Sequence, residues 1–275
     1  EIPLRLVGSE MCIRDRVAGT NPFPKLITIP TTAGTGAETE STAMVTHSEK
    51  GMKFCLDHPR LKISAAVLDP VLTVGLPANL TAWTGVDALT HAIEAYIVPD
   101  FHPLCDGAAI EALKLINKYL VTSVEEPENL EARGGMLVGS CLAGISFLKG
   151  LGFVHAISHM VGAEFDTQHG LTNAIVLPVV LRYNLPSLDE KRRQMADALN
   201  INDKTTDGFV GDIEATLNRL DIPKSLSSIG VPLDCASRVA EKAMFDSAAS
   251  TNPVKGNSTD IKALIERSIL EARRL

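Results

Sequence analysis

GVDALTHAIEAY (85–96) and FVHAISHMVGAEFDTQHG (153–170) are the stretches on which the fold and the chemistry of this chain turn. In the first, Asp87 and His91 stand four residues apart. In the second, His155 and His159 do the same, and His169 follows ten residues later. Residues at i and i+4 on a helix sit one above the other on one face. Two helices with these faces turned together bring Asp87, His91 and His155 to one point, and His169 is expected to reach it from a following loop. One carboxylate and three imidazoles around a point suit a divalent metal ion. An i,i+4 Asp/His pair also has an ordinary explanation, a hydrogen bond along a helix face or a core histidine satisfied by the backbone. Concentration favours the metal: four of the seven histidines fall in these two segments. They lie among Leu89, Ala92, Ile93, Val154, Ile157, Met160 and Val161, so the polar groups are expected to be partly buried and in need of partners.

Outward from these segments, the organisation changes once. LITIPTT (26–32) is apolar and β-branched and stops at AGTGAE, a strand running into a loop. STAMVTH (41–47), turn residues 48–51 and MKFCLD (52–57) predict a β-hairpin. AAVLDP (65–70) predicts another strand closed by Pro70. Helical periodicity then takes over in 77–98, 105–122, 128–149, 154–163, 171–183, 187–199 and 207–220, with shorter helices beyond. A boundary is expected near Gly75, between a β-rich piece over 17–75 and a helical domain over 76–275. Gly134 and Gly135 lie inside a helical pattern and are expected to mark close helix packing. Residues 1–16 follow neither period, and LVGSEMCIRDR resembles translated sequencing-adapter read-through. That leader is expected to be non-native, in a chain whose natural N-terminus is missing.

Composition excludes several classes. A formal net charge of -7 and a 4% aromatic content argue against a nucleic-acid partner. No apolar run approaches membrane-spanning length, and no signal peptide is evident. The five cysteines are scattered without a C-x-x-C pair, which indicates neither a disulfide framework nor a zinc knuckle. A reducing cytoplasm fits. The loop TTAGTGAE (31–38) can bring backbone close to a ligand, but it matches neither G-x-G-x-x-G nor the P-loop pattern. By itself it reads first as a turn between two strands.

IPTTAGTGAE, LDPVLT, LPANLTAWTGVDALTHAIEAY and the H-x3-H-x9-HG run, in this order and spacing, resemble the iron-containing (group III) alcohol dehydrogenases. The resemblance runs from about Lys25 to the C-terminus and includes Asn252-Pro253 and the Thr-Asp-Ile helix start at 259–261. It implies an α/β remnant of a dinucleotide-binding domain followed by an all-α metal-binding domain, a dehydroquinate synthase-like architecture with the active site in the cleft between. Carried over by position, Asp87, His91, His155 and His169 would hold Fe²⁺, with Zn²⁺ also suited to these donors. His159 would be the catalytic residue beside the nicotinamide, as proton relay or positioner. Thr31, Thr32, Gly34, Thr35, Lys53, Asp69 and Thr73 would meet NAD or NADP. The implied reaction moves a hydride between a primary or secondary alcohol, or a hydroxy acid, and NAD(P), with an aldehyde or ketone as product. The implied partners are a small alcohol or aldehyde and further copies of the full-length parent, with neither nucleic acid nor membrane.

One departure matters. The family's Gly-Gly-Gly-Ser cofactor loop has no counterpart here, which implies a fragment that binds cofactor poorly and leaves strand edges and an apolar face uncovered. Two alternatives stay open at this stage: an NAD- and zinc-dependent lyase of the dehydroquinate synthase type, and a non-catalytic helical domain whose histidines only pack. Phe101, His102 and Phe153 are candidate walls of a substrate pocket.

Overall fold

The computed structural model describes residues 25–47, 49 and 52–270. The expectation for the 1–16 leader, and most of the hairpin turn, lie outside them. Strand β1 (Ile27–Thr28) pairs in parallel with β4 (Ala65–Ala66), while β2 (Thr42–His47) pairs antiparallel with β3 (Met52–Asp57) in the register Thr42↔Asp57 to His47↔Met52. The hairpin is therefore as expected, and the two flanking strands are shorter than 26–32 and 65–70. Proline explains both differences. Pro30 has no N–H to extend β1, and Pro70 opens a 3-10 turn (Pro70–Thr73) that Asp69 caps by accepting from Val71 N at 3.0 Å.

Among the described residues ten α-helices follow: α1 (Ala78–Ile97), α2 (Pro103–Glu125), α3 (Leu130–Ser146), α4 (Phe153–Phe165), α5 (His169–Asn184), α6 (Asp189–Ala198), α7 (Thr206–Arg219), α8 (Ala236–Ala243), α9 (Ser247–Thr251) and α10 (Ser258–Leu270). The first seven match the periodic segments to within a few residues. Several ends have side-chain caps, with Asn129 accepting from Ala132 N ahead of α3 and Thr205 from Gly208 N ahead of α7. No single described helix is long and apolar enough to cross a membrane.

Helix α1 is the axis of the core. Nearly every residue from Thr81 to Ile97 is buried, as for a helix enclosed on all sides rather than laid on a surface, and α2, α3 and α5 pack around it. The antiparallel pair α2–α3 depends on Gly135: a Cβ there would lie 2.1 Å from Cδ2 of Tyr119. Gly134 meets nothing closer than Pro70 at 3.9 Å, so only the second glycine is required by the packing. Helix α4 ends where Asp166 turns left-handed at φ 53°. The Gln168 side chain then opens α5 by accepting from Leu171 N at 2.6 Å. This cap corrects one expectation, since His169 is the first residue of α5 and not part of a loop.

Candidate metal centre

Asp87 and His91 face outward from α1 toward His155 on α4 and His169 at the start of α5. Asp87, His91 and His155 are almost fully buried, His169 is partly open, and one donor atom from each lies within 4.8 Å of the others. Asp87 Oδ1 is the focus, 3.6 Å from Nε2 of His169, 3.7 Å from Nε2 of His155 and 3.9 Å from Nε2 of His91. Donors about 2.1 Å from a tetrahedrally held ion stand about 3.4 Å from one another. The three Asp87–imidazole distances therefore lie within about half an ångström of that spacing, and all four donors lie within 4.8 Å of one another.

The charges suit a cation. Burial alone would raise the Asp87 carboxyl, but the imidazoles of His91, His169 and His155 outweigh it and hold the group well below the usual carboxylate range. Burial drives His91 down to about 4 and His169 to about 3, against the pull of Asp87. Both rings are neutral at physiological pH, with a lone pair each. Burial also acts against protonation of His155, but the carboxylates of Asp87 and Glu94 prevail and raise it to about 9. A cation at the focus would take the place of that proton. The amide nitrogen of Asn173 lies 2.7 Å from Asp87 Oδ1, 3.1 Å from His155 Nε2 and 3.2 Å from His169 Nε2. Its Oδ1 is buried without a partner, so protein groups alone leave the hydrogen bonding around the focus unclosed.

The centre opens into a cleft of about 690 Å³ between the β2–β3 hairpin and the helices, walled by Thr42, Met44 and Cys55 on one side and by Phe147, Ser247 and Thr251 on the other. His159 also faces it, one turn beyond His155, with Nδ1 held 2.8 Å from Oδ2 of Asp246. Asp246 in turn caps α9 through Ala248 N at 2.9 Å. Of the seven residues expected at the cofactor, Thr35 lines this cleft and Thr31 and Thr32 sit nearby on the same loop with some exposure. Gly34 is buried: a Cβ there would lie 2.4 Å from the Thr84 carbonyl oxygen, and its own carbonyl accepts from His91 Nδ1 at 3.3 Å. Gly36 has φ 63° and passes so close to α3 that a Cβ would lie 2.6 Å from Gly144 Cα. These glycines fit the loop onto α1 and α3. Lys53 Nζ lies near Gly162 on α4, Asp69 serves as a cap, and Thr73 is buried and donates to Pro70 O at 2.9 Å.

None of the three candidate pocket walls lines the cleft. Phe153 is buried in the core against Tyr183, Phe101 is 92% exposed, and His102 caps α2 by accepting from Cys105 N. Sequence reasoning also missed four groups around the centre: Glu94, Asn173, the Gly34 carbonyl and Asp246. Two had a signal. Glu94 lies three residues after His91, and Asn173 four after His169, the helical spacings that revealed the histidines. Gly34 and Asp246 had none, since they arrive from segments remote in sequence.

Comparison with known proteins agrees with this architecture. Residues 81–269 match the profile described as "Fe-containing alcohol dehydrogenase family, C-terminal", and residues 6–70 match that of "Iron-containing alcohol dehydrogenase". The chain is 40% identical to 1,3-propanediol dehydrogenase of Klebsiella pneumoniae over 256 residues, covering 90% of this chain and 66% of that protein. It is 36% identical to the NAD-dependent methanol dehydrogenase of Bacillus methanolicus, with 90% and 67% covered. The solved structure of a 1,3-propanediol oxidoreductase superposes with a TM-score of 0.87 at 39% identity, over 91% of this chain and 68% of that one. The chain thus spans just under two thirds of the length of the first of these relatives. With the four donors converging where the shared motifs fall, the chain belongs to the iron-containing alcohol dehydrogenase family.

Proposed function

We propose that this chain carries the metal-binding part of an oxidoreductase that moves a hydride between a short alcohol and NAD(P), with Asp87, His91, His155 and His169 as ligands of Fe²⁺ or Zn²⁺. The convergence of those four side chains carries the reading. The relatives named above act by name on 1,3-propanediol and methanol, which points to a small primary alcohol and its aldehyde as the substrate pair. When bound, the cation supplies Lewis acidity toward the substrate oxygen and the nicotinamide supplies the hydride site.

The chain's own residues do the rest. Asp87 brings the negative charge and the three imidazoles bring neutral donors, so the centre keeps a net positive charge where charge develops on the substrate oxygen. The hairpin and the Phe147 segment wall the cleft beside the reacting centre. Asp246 accepts the Nδ1–H of His159 and leaves Nε2 to hold or pass the proton of the alcohol. Thr35 and its loop neighbours Thr31 and Thr32, exposed and partly exposed, offer hydroxyls to the cofactor. Lys53 and Asp69 belong to the same proposed cofactor surface, and Thr73 supports it from inside. We place the protein in a reducing cytoplasm as a homo-oligomer, with a dinucleotide-binding piece over 17–75 and a metal-binding domain over 76–275.

Elemental analysis of the purified chain beside an Asp87→Ala control tests the centre. About one iron or zinc per chain, absent from the control, is the expected result. Well-folded protein without metal would return the histidines to a packing role. Titration with NADH, followed by fluorescence, is expected to show weak binding by residues 1–275, and micromolar affinity would overturn that part.

A further inference from the structure

We propose that Glu94 is a positioning residue of the centre, fixing both the ring and the backbone of His155 so that Nε2 presents its lone pair to the metal. The inference rests on the four-ligand reading and extends it to a residue outside the ligand set. Glu94 lies on α1, one helical turn past His91, and is 1% exposed. Its Oε2 is 2.6 Å from Nδ1 of His155. A carboxylate oxygen at that distance accepts, so Nδ1 carries the hydrogen and Nε2 is left for coordination.

The same carboxylate performs a second task. Helix α4 begins after Gly152, which has no side chain to cap it. The missing acceptors come from elsewhere: Glu94 Oε1 takes Val154 N at 2.8 Å, Oε2 takes His155 N at 3.4 Å, and Asn252 Oδ1 takes Phe153 N at 3.1 Å. Gly152 makes room for this, because a Cβ there would lie 2.6 Å from Glu94 Oε1. A negative group at a helix N-terminus is favoured electrostatically, yet a carboxylate this deep is costly without a strong partner. The ion-pair partner found for it among the described residues is His155. Capping alone could be met by a neutral amide. Orientation of the ligand needs an acceptor on both oxygens, and only the carboxylate provides that.

Glu94→Gln separates the two tasks. Its amide oxygen can still cap α4, while its NH₂ now faces Nδ1 and favours the tautomer with the hydrogen on Nε2, which blocks coordination. Titration of the full chain with Co²⁺ or Zn²⁺ is expected to show affinity about 10- to 100-fold weaker for Glu94→Gln than for wild type, with helix content by circular dichroism unchanged, and no binding for Asp87→Ala. Equal affinity of wild type and Glu94→Gln, with Asp87→Ala still inactive in binding, overturns the positioning role and leaves the metal centre standing. No binding by wild type overturns the centre and the proposal together. Should Glu94→Gln fail to fold, long-range ¹H–¹⁵N correlation spectra of the wild-type histidines decide. A hydrogen on Nδ1 of His155 is expected in the metal-loaded chain, and coordination through Nδ1 would overturn the proposal.

Discussion

Ile93 in α1 and Ile27 in β1 are the same residue in two different situations: the first is fully buried and the second is 62% exposed. The contrast extends to their surroundings. From Ala78 onward the helices cover one another, and the largest buried side chains among the described residues, including Leu113, Ile116, Leu137 and Leu177, all lie in that region. In the strand region Leu26, Ile29, Val67 and Val71 are each about half exposed. An apolar run becomes core only where a second layer lies against it. Helix α1 has such layers on every side, while among the described residues β1 has one short parallel neighbour.

The widest expected gap between the regions is in core substitutions. Leu113→Ala leaves a hole in a closed helical core and is expected to cost about 2–5 kcal/mol by urea unfolding. Ile27→Ala removes an exposed side chain and should stay within about 0.5 kcal/mol. Similar costs at both sites would erase the distinction between the regions.

Capping should repeat the contrast on a smaller scale. Thr205→Ala removes the acceptor for Gly208 N at the head of a fourteen-residue helix and is expected to cost about 1 kcal/mol. Asp69→Ala acts on a four-residue turn and should cost only a few tenths on the same urea scale.

A pH response is expected to belong to the helical region. Burial, aided by the neighbouring Lys149 ammonium, lowers Lys191 to about 8, although it donates to the Tyr96 and Val98 carbonyls at the end of α1. Between about 8 and the ordinary lysine value the unfolded chain holds a proton that the folded chain has released. Stability from this group therefore rises with pH across that interval. Melting temperatures measured from pH 7.5 to 10 should climb more in wild type than in Lys191→Met, and parallel curves would remove Lys191 as the cause.

The smallest expected change in stability carries a change in behaviour. Ile27→Lys with Val67→Lys should leave the helical melting transition in place while reducing self-association seen by light scattering, because charges on a strand discourage edge pairing. Unchanged association would move the sticky surface elsewhere, toward Phe101 and Leu104, which are 92% and 82% exposed.

Much of the centre was legible because helical spacing is a local property. Asp87 to His91 and His155 to His159 are each one turn, and a turn of helix puts them on one face whatever the rest of the chain does. The helices themselves were readable for the same reason, down to a close contact at Gly135. Strand lengths were less so, since Pro30 and Pro70 act on a ladder that also needs a neighbour. His169 shows the limit at a boundary: whether it joins a loop or a helix depends on a left-handed Asp166 and a capping Gln168, a short-range detail that periodicity does not contain.

By itself, then, the sequence determined which side chains share a helix face, where the chain changes from strands to helices, and the family it resembles, because each of these depends on residues close together along the chain. Only the tertiary structure decided which faces meet. It brought Gly34 to His91 across 57 residues, Glu94 to His155 across 61 and Asp246 to His159 across 87. Those contacts depend on how helices and loops pack around α1. Packing is a property of the whole core, and no local pattern encodes it.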